Sequence, residues 1–347
     1  MKLSSSGFAV RFYGSSHPIK VEEASFPHIE NGQVLVKIKA AGVCASDIHF
    51  YHRTKTPAKV PLILGHEGAG VVEKVGSNVE NMHEGDHVCI HYVISCGECN
   101  HCLEGRDNLC VNVKWAGFDV DGTFSEYILL PARNVLPLPE WITLEHGALI
   151  GCAVVTPFHA MSVGEVKPGD SVTIIGIGGV GIHAIQMARI FGADRIIAVD
   201  IADYKLKLAE EFGADVTVNS KEEDAVEAVN RATKGKGSDI VFEFVGSAQT
   251  ILQSLRMTGR GGRAVLVGIY RGSLEFDITR LLYEEKQLRT SMDHTKWDLK
   301  KAIDLVANGR IDLSKSVTHK LPLRNALKGL EILEKKVGNP VRVVLIP

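Results

Sequence analysis

The sequence lacks a charge surplus of either sign. Its 39 basic residues face 41 acidic ones, a formal net charge of −2. No stretch gathers the Lys and Arg that would hold a phosphate backbone, and there is no acidic tail, so a nucleic-acid partner is excluded. Long apolar runs are missing too. None approaches the ~18 residues that a membrane helix needs, so no membrane partner is expected. The first seven residues carry one Lys with no apolar core behind it, a poor secretory signal. The expected compartment is the cytoplasm. Internal repeats and low-complexity segments are absent. The seven cysteines are an odd count, which fits no disulfide framework in a chain of 347 residues.

What is present falls into two patterns, as expected for a length of about two domains. Residues 1–150 read as short strands, such as 34–38 and 70–75, punctuated by Gly and Pro. No helical period stands out there. After residue 150 strands alternate with helices: strands over 171–175, 195–200, 214–218, 239–243 and 263–267, with a helix over 205–212. That alternation predicts a parallel sheet covered on both faces, an α/β fold with a doubly wound sheet. The tail adds helices over 298–308 and 323–335 and a last strand over 341–345. The expected division is a β-rich domain of residues 1–153 and 292–347 and a doubly wound domain of residues 154–291.

Gly176-Ile177-Gly178-Gly179-Val180-Gly181 fits G-x-G-x-x-G. The pattern alone is weak. Here it follows a strand, opens a helix, and has Asp200 19 residues beyond its last glycine. That context is the dinucleotide fingerprint. Gly176 permits the tight turn, Gly178 lets the backbone approach a pyrophosphate, and Gly181 lets helix and strand close up. A carboxylate at Asp200 accepts ribose hydroxyls and repels a 2′-phosphate, which favours NAD, and Lys205 nearby softens that preference.

Cys96, Cys99, Cys102 and Cys110 read C-x2-C-x2-C-x7-C. Four thiolates so spaced suit one closed tetrahedral zinc, and an iron–sulfur cluster is the other use of such a set. Cys44, His66 and Cys152 are scattered. One His and two Cys make a plausible zinc site with an open position, but spacing alone does not bring them together.

The segment from Gly65 to Gly76 (GHEGAGVVEKVG) resembles the signature of the zinc-containing medium-chain alcohol dehydrogenases. The motif order over the whole chain is similar too: Cys44-x-Ser46-Asp47-x-His49, His66-Glu67, the four-cysteine lobe, Gly151-Cys152, then the glycine turn. The resemblance implies a GroES-like catalytic domain joined to a Rossmann domain. It implies two zinc ions, one catalytic and one structural, and reversible NAD-linked oxidation of primary, secondary or aromatic alcohols, with hydride leaving a zinc-bound alkoxide. On this reading Cys44, His66 and Cys152 hold the catalytic zinc. Glu67 stands beside it, Asp47 orients His66, and Ser46 and His49 relay the proton. Thr156, Val180, Gly268, Ile269 and Arg342 meet the cofactor, Arg342 at its pyrophosphate. Phe50, Tyr92 and Trp115 line the alcohol pocket. Cys89 matches no ligand and reads as packing. A homotetramer is expected from relatives of this length. A polyol dehydrogenase and a non-catalytic NAD sensor are the competing readings; the complete ligand set argues against the second.

Overall fold

The structure is a computed structural model describing residues 6–14, 19–26, 28–52 and 59–347. The beginning of the segment read above for a secretory signal lies outside the described residues. The chain divides into two units, Met1–Val155 with His294–Pro347, and Thr156–Asp293.

The first unit is built on a seven-stranded sheet whose path runs Val135–Pro137, His87–Ile90, Glu67–Val75, Gln33–Val43, Arg342–Ile346 and Val317–Pro322, with Tyr127–Pro131 pairing Gln33–Val43. All pairs are antiparallel except the last two strands of the path, which run parallel. The helix Ala326–Lys335 connects those two, as a parallel pair requires. Gln33–Val43 is the axis of the sheet. Val34, Leu35, Val36 and Ile38 are buried in it, and β-branched residues suit a strand with neighbours on both edges. A three-stranded antiparallel sheet, Lys20–Ser25, Ser6–Phe12 and Leu62–Ile63, forms separately.

Short helices interrupt this β-rich part: Ala45–Tyr51, Asn100–Leu103 and Leu144–Leu149. These are helices in a stretch where the sequence shows no clean helical period. The helical run Leu144–Gly164 is, among the described residues, the one helix long and apolar enough to cross a membrane by length and composition. It covers 21 residues, its best window has a mean hydropathy of 1.4, and 78% of that window is buried inside the protein. Glu145, His146 and His159 break the apolar run in the sequence; burial explains the rest.

The second unit carries a six-stranded, wholly parallel sheet in the order Val216–Asn219, Arg195–Asp200, Ser171–Ile175, Ser238–Glu243, Thr258–Leu266, Gln287–Thr290. Numbered along this unit the order is 3-2-1-4-5-6, the doubly wound arrangement that binds dinucleotides where the order reverses. That reversal lies between Ser171–Ile175 and Ser238–Glu243. Helices Gly181–Ile190, Asp203–Glu211, Ala225–Ala232 and Ala248–Met257 connect its strands.

Candidate active site

The sheet of the first unit delivers the scattered residues to one place. Gly42 pairs with Glu67, and Val43 pairs with Val343. Cys44, His66-Glu67 and Arg342 therefore meet at the ends of three adjacent strands. A Cβ on residue 42 would stand 2.1 Å from Glu67 Oε2, so only glycine leaves room for that carboxylate. Cys152 arrives on a π-helical turn, Ile150–Val154, a distortion that often marks functional positions. One ligand atom each from Cys44, His66, Glu67 and Cys152 lies within 4.8 Å of the others, and all four residues are buried.

Asp47 organises this cluster. Its Oδ2 accepts the Cys44 backbone N–H at 2.8 Å and caps the helix Ala45–Tyr51. Its Oδ1 accepts from His66 Nδ1 at 2.9 Å. That bond turns His66 Nε2 toward the cluster, 4.0 Å from Glu67 Oε1. Burial opposes a charge on His66, but Asp47, then Cys44, hold its pKa well above the usual value. The Cys152 thiol, hydrogen-bonding Cys44, pulls the Cys44 pKa far down, and the same bond with burial pushes Cys152 up. Burial raises Glu67 to about 7 against the pull of Arg342. Arg342 Nη2 donates to Glu67 Oε2, while Glu67 Oε1 has no hydrogen-bond partner among the described residues. A buried thiolate, a second thiol, an imidazole and an unspent carboxylate oxygen together suit a divalent cation. Two sulfurs and one nitrogen match zinc with one position open. Metal binding there must displace the protons that the free cluster holds.

Ser46 is half-buried in the first turn of the helix Ala45–Tyr51, its Oγ 3.8 Å from Cys44 Sγ. His49, one turn on, is exposed. Tyr92 is buried, with its ring edge-on to His66 at 4.9 Å between centroids. Phe50 is buried against Phe118 at 5.3 Å, and Phe118 lies 5.1 Å from the His66 ring. Sequence reasoning missed Phe118; no motif marks it. Trp115 is half-buried in the short pair opposite Val93. Arg342 is buried and committed to Glu67 through one amino group, which the expectation of a pyrophosphate contact did not foresee. Cys89 is buried and donates to the Gly147 carbonyl at 3.3 Å; burial raises its pKa.

The second cysteine group also converges: one sulfur each from Cys96, Cys99, Cys102 and Cys110 lies within 4.8 Å of the rest, and all are free thiols. Backbone N–H groups of Cys96, Gly97, Cys99 and Asn112 donate to these sulfurs at 3.2–3.4 Å. Such donors stabilise thiolates. Backbone N–H groups of Cys102 and Val111 bring Cys99 down to about 6, whereas burial lifts Cys102 to about 11. An ion held by all four sulfurs would have no position left for a substrate.

In the second unit, the glycine turn sits at the carboxyl end of Ser171–Ile175, at the reversal of strand order. Gly176 has φ +91. A Cβ on residue 181 would lie 2.0 Å from the Gly176 carbonyl oxygen, while one on residue 178 would meet nothing within 4 Å. The turn is thus closed inside and open outside, a cradle that a pyrophosphate would fill. Val180 occupies the N-cap of the helix Gly181–Ile190 with no side-chain cap. Asp200 accepts the Ile177 N–H at 2.7 Å and the Ile201 N–H at 2.7 Å, and Lys205 Nζ stands 3.4 Å away. Gly268 donates its N–H to the Glu243 carbonyl at 2.9 Å, and Ile269 beyond it is exposed. Thr156 is buried, four residues past Cys152.

Known proteins resemble this chain over nearly its whole length. Residues 30–140 match the alcohol dehydrogenase GroES-like domain and residues 179–308 the zinc-binding dehydrogenase domain. An alcohol dehydrogenase of Geobacillus stearothermophilus is 38% identical over 89% of this chain and 90% of its own length. An L-threonine 3-dehydrogenase of Bacillus velezensis is 32% identical (94% and 95% covered), and a sorbitol dehydrogenase of Bacillus subtilis 31% (96% and 95%). Among solved structures, a zinc-binding dehydrogenase of Sinorhizobium meliloti 1021 bound to NADP superposes with a TM-score of 0.91 at 32% identity, covering 99% of this chain and 100% of that one. An alcohol dehydrogenase of Thermus sp. ATN1 gives 0.91 at 31% identity (98% and 99%). Two domain matches in chain order and relatives this similar over nearly the full length assign the chain: it is an oxidoreductase that belongs to the zinc-dependent, medium-chain alcohol dehydrogenase family.

Proposed function

We propose that this protein is an NAD-linked alcohol dehydrogenase acting on primary, secondary or benzylic alcohols, with a catalytic zinc at Cys44, His66 and Cys152 and a structural zinc at Cys96, Cys99, Cys102 and Cys110. The convergence of Cys44, His66 and Cys152 beside Ser46 carries the reading. Zinc bound there supplies a Lewis acid that acidifies an alcohol or polarises a carbonyl. Asp47 keeps His66 Nε2 aimed at the metal position. Ser46 accepts the alcohol's proton and His49, exposed to water, passes it to solvent. Glu67 adds negative charge beside the site, and Arg342 holds it in place. Phe50, Tyr92 and Trp115 offer an apolar wall to the alcohol's carbon side. The Gly176–Gly181 turn receives the pyrophosphate, and Asp200 the adenosine ribose. Asp200 disfavours a 2′-phosphate, which supports NAD over the NADP of the Sinorhizobium protein. Thr156, Val180, Gly268 and Ile269 frame the nicotinamide, and Lys205 moderates the charge at the ribose.

Ile278, Leu282 and Tyr283, 66–76% exposed in the second unit, support self-association, and a homotetramer is the assembly we infer. Free cysteines throughout suit the reducing cytoplasm. The second reading is a polyol or amino-alcohol dehydrogenase, supported by the sorbitol and threonine enzymes among the relatives.

The test is NADH formation with primary, secondary, benzylic, polyhydric and amino alcohols, before and after chelation. Chelator-sensitive turnover of simple or benzylic alcohols supports the first reading. Turnover confined to polyols or threonine moves the protein to the second. No turnover by the metal-replete protein in either direction, with either cofactor, ends both.

A further inference from the structure

Behind the Tyr92 ring lies a buried polar chain that the proposed reaction does not use. His91, which follows the strand His87–Ile90, is 2% exposed, and His294, just before the helix Lys296–Ala307, is fully buried. His91 Nδ1 is 3.2 Å from His294 Nε2. His91 Nε2 is 3.1 Å from Asp107 Oδ2. Asp107 belongs to the cysteine lobe, three residues before Cys110, and its carboxylate also accepts the Lys296 backbone N–H at 3.2 Å. At the other end, Tyr92 stands edge-on to His294 at 5.3 Å and edge-on to His66 at 4.9 Å.

The chemistry of the three polar groups leaves one neutral arrangement. An ionised carboxylate only accepts, so His91 carries its hydrogen on Nε2. Its Nδ1 is then a lone pair, which fits only a His294 that bears its hydrogen on Nε2. One carboxylate in the lobe thereby fixes the tautomer of two rings, the second of which backs Tyr92. A hydrogen-bonded chain of this kind, buried and closed at one end by an acid, holds its members in one rotameric state.

We propose that Asp107, His91 and His294 are positioning residues: they couple the cysteine lobe to the alcohol pocket by holding Tyr92 against His66, and so set which alcohols fit. The pocket role rests on the alcohol dehydrogenase reading; the tautomer chain does not. Through this chain a closed, non-reacting lobe acts on a pocket whose walls it does not supply.

The experiment uses the metal-replete full chain with 15N-labelled histidine. Nuclear magnetic resonance reads the protonated nitrogen of each ring, assigned by loss of signal in His91 and His294 variants. Wild type should show Nε2–H on both. The Lys296 N–H reaches both Asp107 oxygens, at 3.2 and 3.3 Å, so in Asp107→Asn an NH2 turned to His91 Nε2 switches both rings to Nδ1–H together. Nδ1–H on either ring of the wild type, or one ring switching in Asp107→Asn without the other, overturns the chain, whatever the enzyme's substrate. The kinetic arm uses the best alcohol found above. Asp107→Asn and His294→Phe should each raise KM about 3- to 10-fold and leave kcat within about twofold, with both metals retained. The double variant should be no worse than either single one, since the two act through one chain. His294→Phe keeps a ring against Tyr92, so wild-type KM in that variant would show that bulk alone suffices and overturn the positioning role. Additive effects in the double variant would do the same.

Discussion

Asp47 serves two partners with one carboxylate, and this makes its replacement informative. In Asp47→Asn the amide oxygen still accepts the Cys44 N–H, but the NH2 cannot accept from His66 Nδ1. The helix cap survives while His66 loses its aim. We expect zinc affinity at the buried centre to fall about 10- to 100-fold, read by competition with a chromogenic chelator. Unchanged affinity would mean that His66 does not bind through Nε2. Glu243 offers a test of a different kind. It is fully buried at the end of its strand, and its Oε1 accepts from Val245 N, Gly246 N and Thr250 Oγ1 at 2.8–2.9 Å, while its Oε2 has no partner among the described residues. Burial raises its pKa above the ordinary 4.5, against the backbone donors. A raised carboxyl pKa means the folded state holds the proton more tightly than the unfolded one. Its stabilising effect is therefore full below 4.5 and is lost as pH rises through the folded-state value. Glu243→Gln keeps the three acceptor bonds and cannot ionise. The melting temperature of Glu243→Gln minus that of wild type should be larger at pH 8 than at pH 5. Equal differences at the two pH values would remove the buried charge as the cause.

At the scale of elements, the glycine turn separates folding from binding within six residues. Gly181→Ala drives a methyl into the Gly176 carbonyl, 2.0 Å from where its Cβ would sit, so the helix Gly181–Ile190 must shift. Overpacking of this sort costs about 1–3 kcal/mol, visible as a lower denaturation midpoint. Gly178→Ala meets nothing, so stability should stay within about 0.5 kcal/mol while the affinity for NADH, measured by fluorescence titration, drops. If both variants bind NADH like wild type, the turn is not the pyrophosphate cradle. This element was legible in the sequence because its signal is local: a strand, a turn and an acid at fixed distances. The parallel sheet was legible from alternation alone. The short helices before residue 150 were not, since four to seven residues are too few to show a helical period. The metal cluster stands between these cases. Its four residues are joined by strand pairing and a π-turn, so only the resemblance put them together beforehand. The Glu67–Arg342 pair spans 275 residues and the His91–His294 bond 203, and neither leaves a mark in the sequence. Phe118 escaped for the same reason.

At the scale of the whole molecule, the two candidate metal clusters found among the described residues belong to one unit and neither to the other. Metal removal should therefore loosen the protein unevenly. In the first unit, a chelated lobe keeps four close sulfurs with no ion to hold them, Cys96 and Cys99 lowered in pKa and Cys102 raised, and the buried centre keeps a thiolate beside Cys152. The lobe is the more open of the two, since Cys44 and Cys152 are buried while Cys96, Cys99 and Cys102 are half-exposed. Cys99, brought down to about 6, is largely thiolate at pH 7 and should be the first thiol to react with an alkylating reagent once metal is gone. Mass spectrometry after a short pulse would locate it. Amide hydrogen exchange on the same sample should show protection lost over 96–110 and 44–47, with the six-stranded sheet of the second unit unchanged. Zinc returned at two equivalents per chain should restore both the protection and the resistance of Cys99. Loss of protection spread evenly over the parallel sheet would contradict the confinement of the metals to one unit, and alkylation beginning at Cys44 or Cys152 would contradict the order of access that burial sets.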